Sequence, residues 1–367
     1  MSRAAIQSGP ARTGPPVAAF YPAAADGESC RPCLSASQAD PQPAAADLPT
    51  GQVGAGPIRP KAPSGRIPRD LRTRARVLAV VSGKGGVGKT NIAVNLALSL
   101  AAAGQRVLLV DTDLGLANVD LILGRRPRGN LGHVLAGRLP LEAIIQEGPS
   151  GLRWIPGASH IPAVARMEAR RREAILDGLA ALETQHDFLL LDTPAGIGPG
   201  VLEVARQADE LLLVTTPEPT AIMDAYALLK AVAADGAEPC LPCSGGQAAG
   251  GSLGRTCLPD RQVRLIVNMV AHRRDGVRVH ERLAETAGRF LGISVSLLGH
   301  IFCDGHVGRA VQKQEPLLTA YPHSQAAWCI KQLAGAVLEG PVRAGRFAPA
   351  LPVGRFFRRL ANLGAAG

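Results

Sequence analysis

Hydrophobic positions along the chain alternate between short apolar runs and longer stretches with helical spacing. The short runs have the length of buried strands: Val77–Val81, Val107–Val110, Leu152–Ile155, Phe188–Leu191, Leu211–Thr215, Leu265–Asn268 and Val295–Ile301. The longer stretches predict amphipathic helices: Asn91–Ala103, Arg166–Thr184, Thr220–Ala234, Arg274–Leu291 and Ser324–Leu338. Strands that alternate with helices predict an α/β fold, with a mostly parallel sheet and helices on both faces.

The same pattern divides the chain into three parts. Residues 1–73 lack apolar periodicity, and the first 70 hold 12 of the 29 prolines, which predicts a disordered arm. Residues 74–338 form one predicted domain, interrupted by a Gly- and Cys-rich insertion at 235–259. Residues 339–367 are expected to be a linker followed by a short helix at 353–363.

Composition narrows the possible classes of protein. A hydrophobic content of 46% excludes a chain that is disordered throughout. The chain has no apolar run long enough for a spanning helix and no secretory signal near Met1, and its seven cysteines are an odd number. We therefore expect a cytoplasmic protein with reduced thiols. The net charge of +10 leaves open nucleic acid, a membrane surface, or neither.

One glycine-rich motif carries the strongest chemical signal. Residues 83–90 read Gly-Lys-Gly-Gly-Val-Gly-Lys-Thr, which matches G-x-x-x-x-G-K-[ST] between a predicted strand and a predicted helix. The glycines allow backbone N–H groups to surround phosphates at the start of the helix. Lys89 is expected to reach the β- and γ-phosphates, and the Thr90 hydroxyl to bind Mg²⁺. The predicted fold is accordingly the three-layer fold of P-loop nucleotide hydrolases.

A second lysine, Lys84, lies inside this motif, where a phosphate cradle does not need one. One interpretation is a solvated loop side chain. The other is a charge that reaches a nucleotide held by a second subunit and stabilises the transition state only in a dimer.

Carboxylates follow two of the predicted strands. Asp111 and Asp113 follow the second strand, and Asp192 follows the fourth. The carboxyl ends of parallel strands form the ligand-binding edge of such a sheet, so Asp192 is expected to serve the metal. Asp113 is a candidate for orienting the attacking water. Asp111 could take that role, bind the metal, or cap a turn, and Gly196 could offer its N–H to the γ-phosphate.

The sequence resembles the MinD/ParA family of deviant-Walker P-loop ATPases, and within it the flagellar-number subgroup called FlhG, YlxH or FleN. The likeness lies in Lys84, in the run from Asp111 to Gly124, and in Asp192-Thr-Pro-Ala-Gly-Ile. Further matches are Asp224–Lys230, Leu265–Val270, Val307–Val311 and Ala320–Ser324. One departure is Phe302, which follows Ile301 where the family usually has proline.

The resemblance implies an ATP-dependent homodimer that hydrolyses ATP with Mg²⁺ and associates reversibly with the inner face of the cytoplasmic membrane. It also implies that Lys84 acts across the dimer, that Asp113 supports hydrolysis, and that Asn268 contacts adenine. The implied partner is a signal-recognition-type GTPase or flagellar switch proteins. The candidate catalytic residues are Lys84, Lys89 and Asp113. The candidate metal ligands are Thr90, Asp111 and Asp192. The candidate nucleotide-binding residues are Gly83, Lys84, Gly85, Gly86, Val87, Gly88, Lys89, Thr90, Asn91, Gly196 and Asn268.

The end of the chain predicts a membrane contact. At 100° per residue, one face of a helix over 353–363 gathers apolar side chains and the opposite face gathers arginines. The apolar face has Phe356, Phe357, Leu360 and Leu363, and the basic face has Arg355, Arg358 and Arg359. Such a helix suits an anionic membrane interface, and two copies in a dimer would bind more tightly than one. The alternative is a tail helix that docks on its own domain.

Three other functions remain open. A partition ATPase would bind DNA through surface arginines, and a division-site ATPase would share every motif named above. An iron–sulfur carrier would need the two C-x-x-C pairs, Cys30/Cys33 and Cys240/Cys243, as metal ligands. These pairs are far apart in the sequence, so we expect incidental reduced thiols.

Overall fold

The computed structural model describes residues 75–113, 117–157, 182–235 and 262–340. The predicted arm (1–73), nearly all of the predicted insertion (235–259) and the predicted tail helix (353–363) lie outside these ranges. The helix predicted at 166–184 also lies mostly outside them, and its end appears as a helical turn at 182–185.

An eight-stranded sheet forms the centre of the described domain, in the order β3-β4-β2-β5-β1-β6-β7-β8. The strands are β1 (Arg76–Val81), β2 (Val107–Asp111), β3 (Gln146–Glu147), β4 (Arg153–Ile155), β5 (Phe188–Asp192), β6 (Glu210–Thr215), β7 (Gln262–Val270) and β8 (Val295–Phe302). Neighbouring strands are parallel except for β3, which pairs antiparallel with β4 at one edge. All seven predicted strands are present.

Helices cover both faces of the sheet. They are α1 (Lys89–Ala102), α2 (Val119–Leu123), α3 (Leu131–Leu135), α4 (Pro199–Gln207), α5 (Pro219–Asp235), α6 (Arg273–Leu291), α7 (Gly305–Gln312), α8 (Leu317–Ala320) and α9 (Gln325–Glu339). The predicted three-layer α/β fold is therefore confirmed. No helix in these ranges combines the length and apolar content needed to cross a lipid bilayer.

The sequence of β1 explains why two hydrophobic layers form. Alternate side chains of a strand point to opposite faces, and each face of this sheet is covered by helices. Leu78 and Val80 pack with Ile92 of α1 on one face. Val77 and Ala79 join the layer beneath α4, α5 and α6 on the other. Both faces of β1 must therefore be apolar. Polar residues that bind a ligand can only follow Val81, where the strand ends.

A buried charge cluster fixes the last helix to the amino-terminal ends of three strands. Arg76 of β1 pairs with Glu210 of β6, whose other oxygen lies 3.4 Å from Nη1 of Arg264 in β7. Arg76 also donates to the carbonyl of Val337 (2.7 Å), and Arg264 to the carbonyl of Ala336 (2.9 Å). The last carbonyls of a helix carry partial negative charge, which balances the second guanidinium.

Candidate nucleotide site

The phosphate-binding loop lies where the sequence motif predicts it, between β1 and α1. A Cβ on Gly83 would overlap the backbone of Asp224 in α5, so the start of the loop packs directly on that helix. The Ser82 hydroxyl donates to the carbonyl of Lys84 (3.0 Å), and the Gly196 N–H donates to the carbonyl of Ser82 (2.9 Å). The loop is therefore held in shape by β1, α5 and the segment after β5.

Lys89 and Asp192 form a buried ion pair at the base of the loop. Lys89 Nζ lies 2.7 Å from Oδ1 of Asp192, and Thr90 also hydrogen-bonds the Asp192 carboxyl. Burial raises the pKa of Asp192, while the Lys89 ammonium acts in the opposite direction. The structure thus brings together Lys89, expected at the phosphates, and two of the three candidate metal ligands, Thr90 and Asp192.

Asp111 holds the loop that follows β2. Its carboxylate accepts hydrogen bonds from the N–H groups of Asp113 (3.0 Å), Asn118 (3.1 Å) and Val119 (3.3 Å). Burial, together with the nearby Asp192 carboxylate, raises the pKa of Asp111 to about 7. This geometry favours the capping role that the sequence left open for Asp111. It also orients Asp113, the candidate for positioning water.

Lys84 is exposed at the rim of the loop and is held by its own chain. Its Nζ lies 2.7 Å from Oε2 of Glu218 and 3.0 Å from the Thr220 hydroxyl at the start of α5. The lysine therefore contacts neither Asp192 nor Lys89 at the base of the loop. Its contacts place its charge at the surface of the described domain.

Asn268 lies directly behind the loop. Its side-chain amide donates to the carbonyl of Val87 (2.8 Å), and a Cβ on Gly88 would lie 2.5 Å from its Nδ2. The next residue, Met269, has a positive φ of 57°, at an irregularity in the pairing of β7 with β8. Asn268, which the family resemblance relates to adenine, thus also supports the phosphate-binding loop.

The remaining predicted site residues lie around the same loop or nearby. Asn91, in the first turn of α1, accepts a hydrogen bond from the buried Asn95 (2.8 Å) through its carbonyl. Gly196 has a φ of 97°, a backbone conformation that glycine adopts most readily. Phe302 packs against the core, and its ring lies edge-on to that of His300, with centroids 5.1 Å apart.

The donor set fits a magnesium–nucleotide ligand. Gly85 and Gly86 are exposed, and a Cβ on either would meet no atom within 4 Å, so the loop is open on its outer side. Beneath it are a buried ammonium (Lys89), a hydroxyl (Thr90) and a carboxylate (Asp192). Hydroxyl and carboxylate oxygens are the ligands that Mg²⁺ prefers, and the ammonium matches a phosphate.

Two residues of the site, Glu218 and Thr220, are not marked by any motif in the sequence. Glu218 and Thr220 hold Lys84 across 134 and 136 residues of chain, respectively. Their only local signal is that they follow the apolar strand β6, as Asp192 follows β5. Among the described residues there is no cluster of three His, Cys, Asp or Glu suited to a metal. The two C-x-x-C pairs and the tail side chains lie outside the described ranges.

Comparison with known proteins identifies the family of the chain. An AAA domain model matches residues 75–235. The antiactivator FleN of Pseudomonas aeruginosa is 37% identical over 80% of this chain and 95% of its own length. The flagellum site-determining protein YlxH of Helicobacter pylori is 32% identical over 79% of this chain and 91% of its own length.

One similar solved structure contains a bound nucleotide. The septum site-determining protein MinD of Pyrococcus horikoshii, complexed with Mg-ADP, aligns with a TM-score of 0.54 and 27% identity. The alignment covers 72% of this chain and 96% of that one. Together with the loop that holds Lys84 and Lys89, these relatives show that the chain is a P-loop ATPase of the MinD/ParA family, in the subgroup that contains FleN and YlxH.

Proposed function

We propose that the chain is an ATP-dependent dimerising switch that regulates the placement or number of flagella at the membrane. The observation that carries this proposal is the similarity to FleN and YlxH over more than nine-tenths of their lengths. The described phosphate site supports the proposal as well, because it has the glycine-rich loop, Lys89, Thr90 and Asp192 in one place. The implied partners are a signal-recognition-type GTPase or flagellar switch proteins.

The side chains of the site divide the chemistry of hydrolysis among them. Bound Mg²⁺ would neutralise charge on the phosphates of ATP, with Thr90 and Asp192 as its protein contacts. Lys89 supplies a fixed positive charge, which is strengthened by its burial. Asp113, held through its N–H by Asp111, orients water at the outer side of the loop.

Lys84 is proposed to complete the site of a second copy. In the described chain its ammonium is occupied by Glu218, but both side chains are exposed, and such pairs contribute only about 0–1 kcal/mol. Replacing the contact with Glu218 by a contact with a partner's phosphates therefore costs little free energy. Ile197 and Met223 are also exposed at this edge of the sheet and offer apolar area to a second copy.

The substitution Lys84→Ala tests this role. We expect nucleotide affinity to change little, because Lys89 and Asp192 remain, and dimer-dependent ATP turnover to fall by a factor on the order of 10³. Lys230→Ala, an exposed lysine on α5, is the control. Unchanged turnover in Lys84→Ala would exclude a role for this lysine across the dimer.

Membrane association is proposed to depend on the tail. We expect the full chain to co-pellet with anionic liposomes in ATP, and a chain lacking Val353–Gly367 to stay in the supernatant with its turnover retained. Equal pelleting of both chains would disprove the tail assignment. Salt-sensitive DNA binding with ATP, without lipid binding, would instead support a partition role.

A further inference from the structure

Three cations lie near the end of α8, two of them over the ring of Tyr321 and one at the carbonyl of Pro322. The guanidinium carbon of Arg309 lies 5.8 Å from the ring centroid, and Lys313 Nζ lies 4.9 Å from it. Lys331 of α9 donates to the carbonyl of Pro322 (2.7 Å), the residue that follows Tyr321. All three side chains are exposed, and the half-buried ring fixes the positions of Arg309 and Lys313.

Helix α2 extends this group of cations. A Cβ on Gly124, at the end of α2, would overlap the carbonyl oxygen of Gln314, so the two backbones touch just after α7. The next two residues, Arg125 and Arg126, are exposed. The α2–α7 surface, as we call it, therefore has five cations: Arg125, Arg126, Arg309, Lys313 and Lys331.

The positive charge of the α2–α7 surface is not neutralised locally. Within the described ranges, no carboxylate forms an ion pair with any of the five cations. Asp304 is occupied by His306 and by the N–H of Ala326, and Asp120 accepts the N–H of Leu121. Glu315 is exposed on the same segment and offsets one charge.

This concentration of cations does not reflect a basic domain. The described residues contain 20 Lys and Arg and 20 Asp and Glu, so their formal net charge is zero. Nine of those acidic residues lie between 182 and 235, away from this surface in sequence. The α2–α7 surface is therefore a local excess that would steer an anionic partner to one side of the domain.

Apolar side chains on the same two helices indicate what kind of anion fits. Leu121 of α2 is 53% exposed and Val311 of α7 is 41% exposed. Nucleic-acid interfaces are strongly polar, whereas protein interfaces combine arginine with apolar contacts. An acidic segment with an apolar face matches both the charge and the exposed side chains.

The α2–α7 surface is also fixed to the helix that starts at the phosphate-binding loop. The N–H of Leu318 in α8 donates to Oδ1 of Asn95 (3.0 Å), which is buried on α1. Helix α1 begins at Lys89. A partner that presses on α8 therefore acts on an element attached to the nucleotide site.

We propose that the α2–α7 surface docks an acidic amphipathic segment of a protein partner. The arginines and lysines bind the carboxylates of the segment, and Leu121 and Val311 contact its apolar face. This interaction goes beyond the proposed function, since it requires neither the membrane tail nor the second subunit.

The test measures binding of a fluorescein-labelled amphipathic peptide of glutamate and leucine to the full chain by fluorescence anisotropy. The variant Arg309→Glu/Lys313→Glu is expected to lose affinity on the order of tenfold. The matched control is Arg278→Glu/Arg282→Glu, which reverses two exposed cations at the same spacing on α6. Leu121→Ser tests the apolar contact separately and is expected to weaken binding about threefold to tenfold.

Three results would overturn the proposal. The first is that the wild-type chain does not bind the peptide. The second is that the α7 and α6 variants lose affinity equally, which would indicate nonspecific attraction. The third is that duplex DNA binds more tightly than the peptide and loses affinity in the α7 variant, which would assign the surface to nucleic acid. Unchanged thermal unfolding of all three variants confirms that they are folded.

Discussion

At the scale of single residues, Gly88 links the phosphate-binding loop to the strand behind it. Its φ of 87° lies in the left-handed region, and a side chain there would also meet the amide of Asn268. Two costs therefore apply at one position: backbone strain and displacement of a side chain that holds Val87.

We expect Gly88→Ala to weaken nucleotide binding at least tenfold, measured with a fluorescent ATP analogue, because the loop must shift to release Asn268. The control is Gly104→Ala after α1, which has a similar φ of 83° but no neighbour within 4 Å of its Cβ. It should lose about 1–2 kcal/mol of unfolding free energy and keep its nucleotide affinity. Equal nucleotide affinities of Gly88→Ala and wild type would contradict the role of this contact.

Lys84 shows what a motif can and cannot predict about a residue. The motif places its charge at the rim of the loop, because glycines on both sides leave no packing to bury it. Its partners Glu218 and Thr220 lie at the start of α5, more than 130 residues away. Only the sheet order, which sets β6 beside β1, brings them within reach.

At the scale of elements, Asp304 connects the end of β8 to two helices. Its carboxylate accepts the N–H of His306 in α7 (2.9 Å), the His306 ring nitrogen (2.7 Å) and the N–H of Ala326 in α9 (3.0 Å). Burial alone would raise the pKa of Asp304, but these hydrogen bonds hold that pKa below its usual value. One side chain thus caps the helices that frame Tyr321.

Asp304→Asn provides a pH test of this cap. A carboxyl group with a lowered native pKa stabilises the fold above its unfolded pKa of about 3.9, and this stabilisation is lost as pH falls through the native value. At pH 7 we expect the variant to lose about 1–2 kcal/mol of unfolding free energy in urea. The difference should shrink as the solution is acidified below about pH 4. A constant difference down to the lowest pH would show that the charge of Asp304 contributes nothing.

Long apolar elements were predictable and short polar ones were not. The strands and helices predicted from periodicity within the described ranges match to within a few residues, because each buries an apolar face on the sheet. Strand β3 has only Gln146 and Glu147, which form a polar edge pair that no periodicity marks. Helices α7 and α8 are short, and no long apolar pattern marks them: α7 is capped by the Asp304 side chain, and α8 begins directly after Pro316.

At the scale of the whole molecule, the net positive charge lies outside the folded domain that the structure describes. The described domain is formally neutral, so the excess of +10 belongs entirely to residues outside the described ranges. The segment after residue 340 supplies five arginines and no acidic residue, and the segment before residue 75 has nine basic and five acidic residues. The general attraction of the chain to anionic surfaces thus comes mainly from its two flanking segments.

This separation predicts different salt dependences for two activities. Raising ionic strength from 0.15 M to 1 M shortens the screening length from about 8 Å to about 3 Å, which weakens attraction between exposed charges. We expect liposome pelleting to fall strongly over this range, while ATP affinity falls little, because Lys89 and Asp192 are buried. If pelleting is unchanged by salt, the membrane contact does not rest on the flanking arginines.

The cluster of Arg76, Glu210 and Arg264 determines when the domain can finish folding during its synthesis. Arg76 is among the first described residues, yet the carbonyl that it binds belongs to Val337, 261 residues later. Until the ribosome has released α9, both guanidinium groups lack their carbonyl acceptors, and leaving buried charges without partners is costly. Contacts this far apart in sequence also form late. The domain therefore completes its fold only near the end of its own synthesis, and a chain that stops before Ala336 is a natural substrate for quality-control proteases.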